Sequence, residues 1–488
     1  MDAPVSTGIE GLDHLLRGGF TPDRMYLIEG DPGTGKTTLA MQFLIEGRER
    51  GETGLHVTLS ETEIELRAIA DSHGWSLEGI EIFQLAAAES PRLQDQYTLY
   101  HPSEVELVET VQRVLDVVER LRPSRIVFDS LSEMRLLARE PLRYRRQILA
   151  LKEFLAGRSC TVLLLDDHDG AESDLQLQSL SHGVVQLEQL PFEYGRARRR
   201  LRIIKMRGVP ALEGFQDFKI QRGGLRVFPR LIVASAEAPR AEPITSGLAA
   251  LDRLLGGGLT WGSTTLVVGP AGCGKSTIAA QFVAAVHDSV RAAVYLFEER
   301  RGTFIARCDA LGMRLSARIR SGHITVTQIE PGEVSPGEFS HRVRTEVDAD
   351  GAQVVMIDSV NGYLHAIPQS DAPLVRLHEL LSYLNAKGAA TLIVVAQHGV
   401  IGTMMTTPID LSYLADCVVL LRFFEADGAV RKAISVVKKR TGGHETTIRE
   451  FRIGSDTVRV GDALTQFQGV LTGVPRYVGA AGPLLNDA

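Results

Sequence analysis

A chain of 488 residues exceeds what one ordinary core organises, and at roughly 150 residues per domain it reads as two to four domains. A net charge of −7 and a pI near 6 argue against a dedicated nucleic-acid binder, which needs a basic footprint to neutralise phosphates. Cys160, Cys273, Cys308 and Cys417 lie far apart with no C-x-x-C pair, which excludes a disulfide frame or zinc site and fits reduced thiols. With no basic-then-apolar leader and no apolar run near the ~18 residues of a membrane span, a cytoplasmic location is expected.

In chain order, residues 6–37 read STGIEGLDHLLRGGFTPDRMYLIEGDPGTGKT, an opening that returns at 245–276 as TSGLAALDRLLGGGLTWGSTTLVVGPAGCGKS. Gly8, Asp13, Leu15, Leu16, Gly18, Gly19, Gly30, Gly35 and Lys36 all find partners at an offset of 239. A period near half the chain signals duplicated domains, since solenoid repeats run roughly 20–50 residues. The first copy gives a strand at 25–30, a helix from 37, a strand at 54–61, a long amphipathic helix at 106–121, a strand at 125–130, a helix at 144–157 and a strand at 160–167. The second copy repeats the order with strands at 264–269, 292–299, 352–359 and 390–397, and a helix at 373–388.

Continuous apolar strands separated by helices predict two tandem RecA-like α/β domains, each a mostly parallel sheet flanked by helices. The β-prone closing segments, GVVQLEQL with RRRLRIIKMRG and CVVLLRFFE with AISVVKKRTGG, read as antiparallel additions. The expected boundaries are a first domain at 1–228, a linker at 229–242, a second domain at 243–470 and a short, poorly ordered tail at 471–488.

Gly30-Asp31-Pro32-Gly33-Thr34-Gly35-Lys36-Thr37 and Gly269-Pro270-Ala271-Gly272-Cys273-Gly274-Lys275-Ser276 both satisfy G-x-x-x-x-G-K-[ST]. In such a loop, backbone N–H groups converge on phosphate oxygens, the lysine reaches the β- and γ-phosphates, and the hydroxyl of Thr37 or Ser276 binds Mg²⁺. Thr38 and Thr277 complete each ATP-binding segment. Asp129 and Asp358, ending apolar runs 93 and 83 residues after their lysines, are the expected second Mg²⁺ ligands. Glu61, and Glu298 with Glu299, end the neighbouring strands and are candidates to polarise the attacking water. Lys205 with Arg207, and Lys438 with Arg440, read either as a solvated strand edge or as cations aimed at the next subunit's γ-phosphate. The cluster Arg196, Arg198, Arg199 and Arg200 reads as an exposed hairpin more readily than a nucleic-acid site. Asp166-Asp167 reads as a loop or γ-phosphate sensor, with no metal assigned.

The doubled phosphate loop, the S/T-G-x-x-x-[LF]-D opening and the K-x-R closing element resemble the KaiC family across roughly residues 5–470. The resemblance implies a double-ring homohexamer with Mg-ATP at subunit interfaces, an N-terminal ring that is mainly an ATPase, and a C-terminal ring with serine/threonine autokinase activity. It makes Glu61, Glu298 and Glu299 catalytic, and Lys205, Arg207, Lys438 and Arg440 contacts to the neighbour's nucleotide. It also makes Ser412 the phosphorylated serine, while Tyr413 replaces the family's threonine and Thr407 stands upstream. A KaiB-like partner is implied; the short tail VPRYVGAAGPLLNDA argues against a KaiA-like activator. The expected function is a slow timing or signalling switch. A RecA- or RadA-like DNA-dependent ATPase and an ATP-dependent scaffold are the alternatives.

Overall fold

The computed structural model describes residues 3–85, 102–138, 141–167, 177–191, 196–233, 240–330, 332–365, 373–397, 399, 411–426, 428–472 and 474–479. Two compact units divide the chain between Pro229 and Arg230.

The first unit is a nine-stranded sheet built from β1 (Met25–Gly30), β2 (Gly54–Thr58), β3 (Ile80–Gln84), β4 (Arg125–Asp129), β5 (Thr161–Asp166), β6 (Gly183–Leu190), β7 (Arg198–Met206), β8 (Gln216–Gln221) and β9 (Gly224–Phe228). Its order is β3-β2-β4-β5-β1-β6-β7-β8-β9. The first six neighbours run parallel, and β7, β8 and β9 then add antiparallel. Alternate residues of each parallel strand enter different cores. Tyr26 and Ile28 pack with Leu39 and Phe43 of helix Lys36–Glu49. Met25 and Leu27 pack with Val114 and Val118 of helix Pro102–Leu121 and Ile148 of helix Pro141–Leu155. Burial on both faces is why these strands read as unbroken apolar runs.

The second unit repeats the plan with β10 (Thr264–Gly269), β11 (Arg291–Leu296), β12 (Ile324–Gln328), β13 (Ala352–Asp358), β14 (Ala390–Ala396), β15 (Cys417–Ala426), β16 (Ala429–Lys439), β17 (Arg449–Ile453) and β18 (Val458–Ala463), in the order β12-β11-β13-β14-β10-β15-β16-β17-β18. The shared opening has a structural job. Asp13 Oδ1 accepts from the Thr7 amide at 2.8 Å, and Asp252 Oδ1 from the Ser246 amide at 2.7 Å. Each aspartate closes the turn that leads into the first strand.

Three sequence expectations need correction. GVVQLEQL and CVVLLRFFE are not antiparallel additions: β6 pairs parallel with β1, Tyr26 against Gly183, and β15 with β10, Thr265 against Cys417. Periodicity reports burial and carries no strand direction. The arginine cluster does lie on a hairpin, β6–β7, with Arg196 exposed, but it is not exposed throughout: Arg198 is buried in β7, and Arg200 pairs with Glu188 at 2.8 Å and lies over the Phe215 ring. Finally, β19 (Phe467–Gln468) pairs with β20 (Arg476–Tyr477) beyond the expected domain end, and Val470 is buried between them in sequence. At the other boundary, Arg230 pairs with Glu379 and Leu231 packs on the second unit's core. No helix among the described residues is long and apolar enough to cross a membrane.

Candidate active sites

Each glycine-rich loop leaves the carboxyl end of a central strand and enters a helix, placing amide donors at a helix N-terminus. Gly35 and Gly274 sit at φ 109° and 105°, where an L side chain is strained. A Cβ at Gly35 would also stand 2.6 Å from Ile220 Cδ1, and one at Gly274 2.7 Å from Ile453 Cδ1.

In the first loop, Lys36 Nζ donates to the carbonyls of Gly30 at 2.6 Å and Asp31 at 3.1 Å, and to Asp167 Oδ1 at 2.8 Å. Burial would raise the Asp167 carboxyl, but hydrogen bonds from Lys36 and Ser132 outweigh it and hold it below its ordinary value. Asp166 is taken up by Arg135. Thus Asp167 faces the loop lysine, while His168 and Asp169 lie outside the described residues. In the second loop, Lys275 Nζ donates to the Pro270 carbonyl at 2.7 Å, and β14 runs out in Ala396 and Gln397 without a carboxylate.

Beside each lysine stands a hydroxyl–carboxylate pair. Thr37 Oγ1 donates to Asp129 Oδ2 at 2.8 Å. Ser276 hydrogen-bonds Asp358, whose carboxyl is pushed up to about 6, mainly by burial, with Glu299 and Glu298 adding to the rise. Burial also raises Asp129, against the Thr37 hydrogen bond and the Lys36 charge. Asp358 Oδ2 is buried without a partner among the described residues. A hard divalent cation fits this donor set: an oxygen pair with an unmet buried carboxylate oxygen beside the phosphate loop.

The glutamates occupy equivalent positions, because the Leu59 amide donates to the Asp129 carbonyl and the Phe297 amide to the Asp358 carbonyl. Glu61 and Glu299 each follow two residues later. Their surroundings differ. Glu61 is pushed up to about 7 by burial, reinforced by Asp129 and Glu65, and its Oε2 is buried without a partner among the described residues. Glu299 is held by Arg307, Nε to Oε1 at 3.2 Å and Nη2 to Oε2 at 2.8 Å. Glu298 accepts from Ser359 Oγ at 2.9 Å. An open cleft of about 480 Å³ runs from the second loop past Glu299 and Arg307 to Ile453.

The paired cations lie elsewhere. In β7, Lys205 stands opposite Val184 and Met206 opposite Gly183, which itself faces Tyr26. In β16, Lys438 stands opposite Val418, and Cys417 faces Thr265. Both pairs therefore sit toward the amino end of the parallel strands, away from their own phosphate loop, with Lys205 and Lys438 about 10 Å down the strand from Gly30 and Gly269 at 3.3 Å per residue, and the arginines farther still. Both make the same clasp. Lys205 Nζ donates to the Gln178 carbonyl at 2.6 Å and Lys438 Nζ to the Ser412 carbonyl at 2.7 Å. Arg207 Nη2 donates to the Ser179 carbonyl and Arg440 Nη2 to the Tyr413 carbonyl, each at 3.0 Å. Ser412 is thus grouped with the cations and away from Lys275 of its own subunit; its counterpart in the first copy is Gln178. Thr407 lies outside the described residues. Arg307 and the clasped carbonyls escaped sequence reading, since neither falls in a motif.

A duplicated, mostly parallel sheet with a phosphate loop at the carboxyl end of each central strand defines a tandem RecA-like P-loop ATPase. The family model described as "ATPase: KaiC" matches residues 5–232 and again 244–465, and the chain belongs to that family. The circadian clock oscillator protein KaiC of Synechococcus elongatus is 26% identical over 98% of this chain and 92% of its own length. That of Parathermosynechococcus lividus is 24% identical over 97% and 88%. The circadian clock protein KaiC3 of Synechocystis sp. is 26% identical over 97% and 94%.

Proposed function

We propose that the chain assembles head to tail into a ring, a homohexamer, that hydrolyses Mg-ATP at subunit interfaces and phosphorylates Ser412 of the neighbouring subunit, acting as a slow timing or signalling switch. The observation that carries this reading is the grouping of Ser412, Lys438 and Arg440 at the edge opposite the loop of their own subunit. A serine at that edge is out of reach of its own γ-phosphate, so transfer has to occur between subunits. Ile204, Tyr413 and Val437 expose apolar surface on the same segments, as a covered interface requires.

Mg-ATP supplies the transferable phosphoryl group and the cation that neutralises it. Lys36 or Lys275 turns from the loop carbonyls to the phosphates. Asp129 with Thr37, and Asp358 with Ser276, would hold the cation. In the first site, Glu61 accepts the proton of the attacking water. In the second, Ser412 Oγ bonds to the γ-phosphorus as the bond to the bridging oxygen breaks, and its proton passes to Glu298 or Glu299. The neighbour's lysine and arginine leave their clasped carbonyls to meet the γ-phosphate. Tyr413 is a poor second acceptor, because its hydroxyl stands several ångströms farther from the backbone and overshoots. The family suggests a KaiB-like partner.

Mass spectrometry after incubation with Mg-ATP tests the kinase step. One dominant phosphate on Ser412 is expected, lost in Ser412→Ala and retained in Lys36→Ala rings. Equal incorporation in Ser412→Ala and the parent would remove Ser412 as the acceptor, and no incorporation in the parent would reduce the C-terminal half to an ATPase. ATP turnover unchanged by single-stranded DNA is expected; stimulation would favour a DNA-dependent ATPase.

A further inference from the structure

The two sites differ at one position whose consequence is chemical. Eight residues after Glu61 the chain carries Ile69, and eight after Glu299 it carries Arg307. Ile69 packs against the first unit's core, leaving Glu61 Oε2 buried and without a partner among the described residues. Arg307 instead spans Glu299 with two nitrogens, and its Nη1 donates to Thr277 Oγ1 at 2.7 Å, on the residue after Ser276. The Arg307 guanidinium, half-buried over the Phe304 ring, is fastened at three points.

A bidentate guanidinium engages both oxygens of a carboxylate and fixes its orientation. Two of its lone-pair sites are taken and the others are held in a fixed direction, so it can meet a water only where that grip leaves it pointing. The arginine also ties the glutamate to the first turn of the loop helix, so any movement toward the γ-phosphate has to break charge-assisted bonds. We propose that Arg307 is a positioning residue that restrains Glu299 and slows hydrolysis in the C-terminal site, whereas Ile69 leaves Glu61 free to act. The inference rests on the reading that both sites turn over ATP. It assigns the division of labour between the copies to one side chain on the helix after the strand-end glutamate. Slow loss of ATP to water in the C-terminal site would keep the phosphoryl group available to Ser412, whose proton would then pass to Glu298, held by Ser359 and not by Arg307.

The test uses full-length protein in the Lys36→Ala background, so that only the C-terminal site binds nucleotide. Arg307→Ile should raise kcat about tenfold, a modest part of what a general base contributes. KM and the Mg-ADP dissociation constant from calorimetry should stay within about twofold, which separates release of a base from a change in binding. Arg307→Lys keeps the charge without the two-pronged grip and should give a smaller rise. Unchanged or reduced kcat in Arg307→Ile would overturn the proposal. So would a tenfold loss of Mg-ADP affinity, which would make Arg307 a phosphate ligand. If the Lys36→Ala protein shows no turnover above the Lys36→Ala/Lys275→Ala protein, the ATPase reading of this site fails. The reciprocal variant then decides: Ile69→Arg in a Lys275→Ala background should lower kcat at the N-terminal site about tenfold without loss of affinity, and unchanged kcat there would overturn the restraint.

Discussion

The ion pair between Lys36 and Asp167 ought to compete with nucleotide for the same ammonium group. Its nitrogen and oxygen are 2.8 Å apart, with side-chain exposures of 8% and 31%. A charge-assisted hydrogen bond contributes roughly 1.5–3 kcal/mol when desolvated and up to about 1 kcal/mol at the surface. The partly exposed carboxylate places this one at about 1–2 kcal/mol. Nucleotide binding has to break it, and the Asp167 charge also repels the incoming phosphates. Asp167→Ala leaves Lys36 bonded to the Gly30 and Asp31 carbonyls, so the buried ammonium is not orphaned. The Mg-ADP dissociation constant of the N-terminal site should therefore fall about 5- to 30-fold, since 1.4 kcal/mol is a factor of ten. Titration calorimetry in a Lys275→Ala background isolates that site, and Asp167→Asn should fall between variant and parent. Unchanged or weaker binding in both substitutions would refute the competition and make Asp167 a group that helps to hold ligand.

Three further outcomes follow from the sites. Lys36→Ala and Lys275→Ala should each remove about half of the nucleotide bound per chain, and the double variant all of it; full stoichiometry in either single variant would disqualify that loop. Hydrolysis at the N-terminal site should climb with pH and level off above about 7, because the Glu61 carboxyl is raised to about 7 and only its unprotonated form accepts a proton. A flat profile from pH 5.5 to 8.5 would remove Glu61 from that role. Mixing Arg207→Ala with Lys36→Ala subunits should restore part of the N-terminal activity that neither has alone, and sedimentation should show Mg-ATP driving assembly; an active monomer would contradict both.

The fold was legible because the central parallel strands are buried on both faces and read as short unbroken apolar runs, whereas most of the helices between them are longer and apolar on one side only. The phosphate loops were legible because glycine spacing is demanded by backbone geometry. Strand direction was not, since β6 and β7 are equally β-prone and only their register tells parallel from antiparallel. The contrast between the two glutamate sites was also hidden. Ile69 and Arg307 occupy ordinary helical positions, and their importance depends on the turn that brings the helix back past the strand end. Nor could spacing reveal that Lys205 and Lys438 clasp carbonyls far from their own loops.

That separation of loop and cation gives each subunit a direction. One side of the protomer receives phosphates and the opposite side offers positive charge, so a two-fold pair would match like with like and complete no site. Only heterologous packing joins unlike sides, and such packing either closes into a ring or runs on as a filament. If sites are completed between subunits, as proposed, a defective loop and a defective cation would be inherited differently within a mixed assembly: the first silences its own subunit, the second its neighbour.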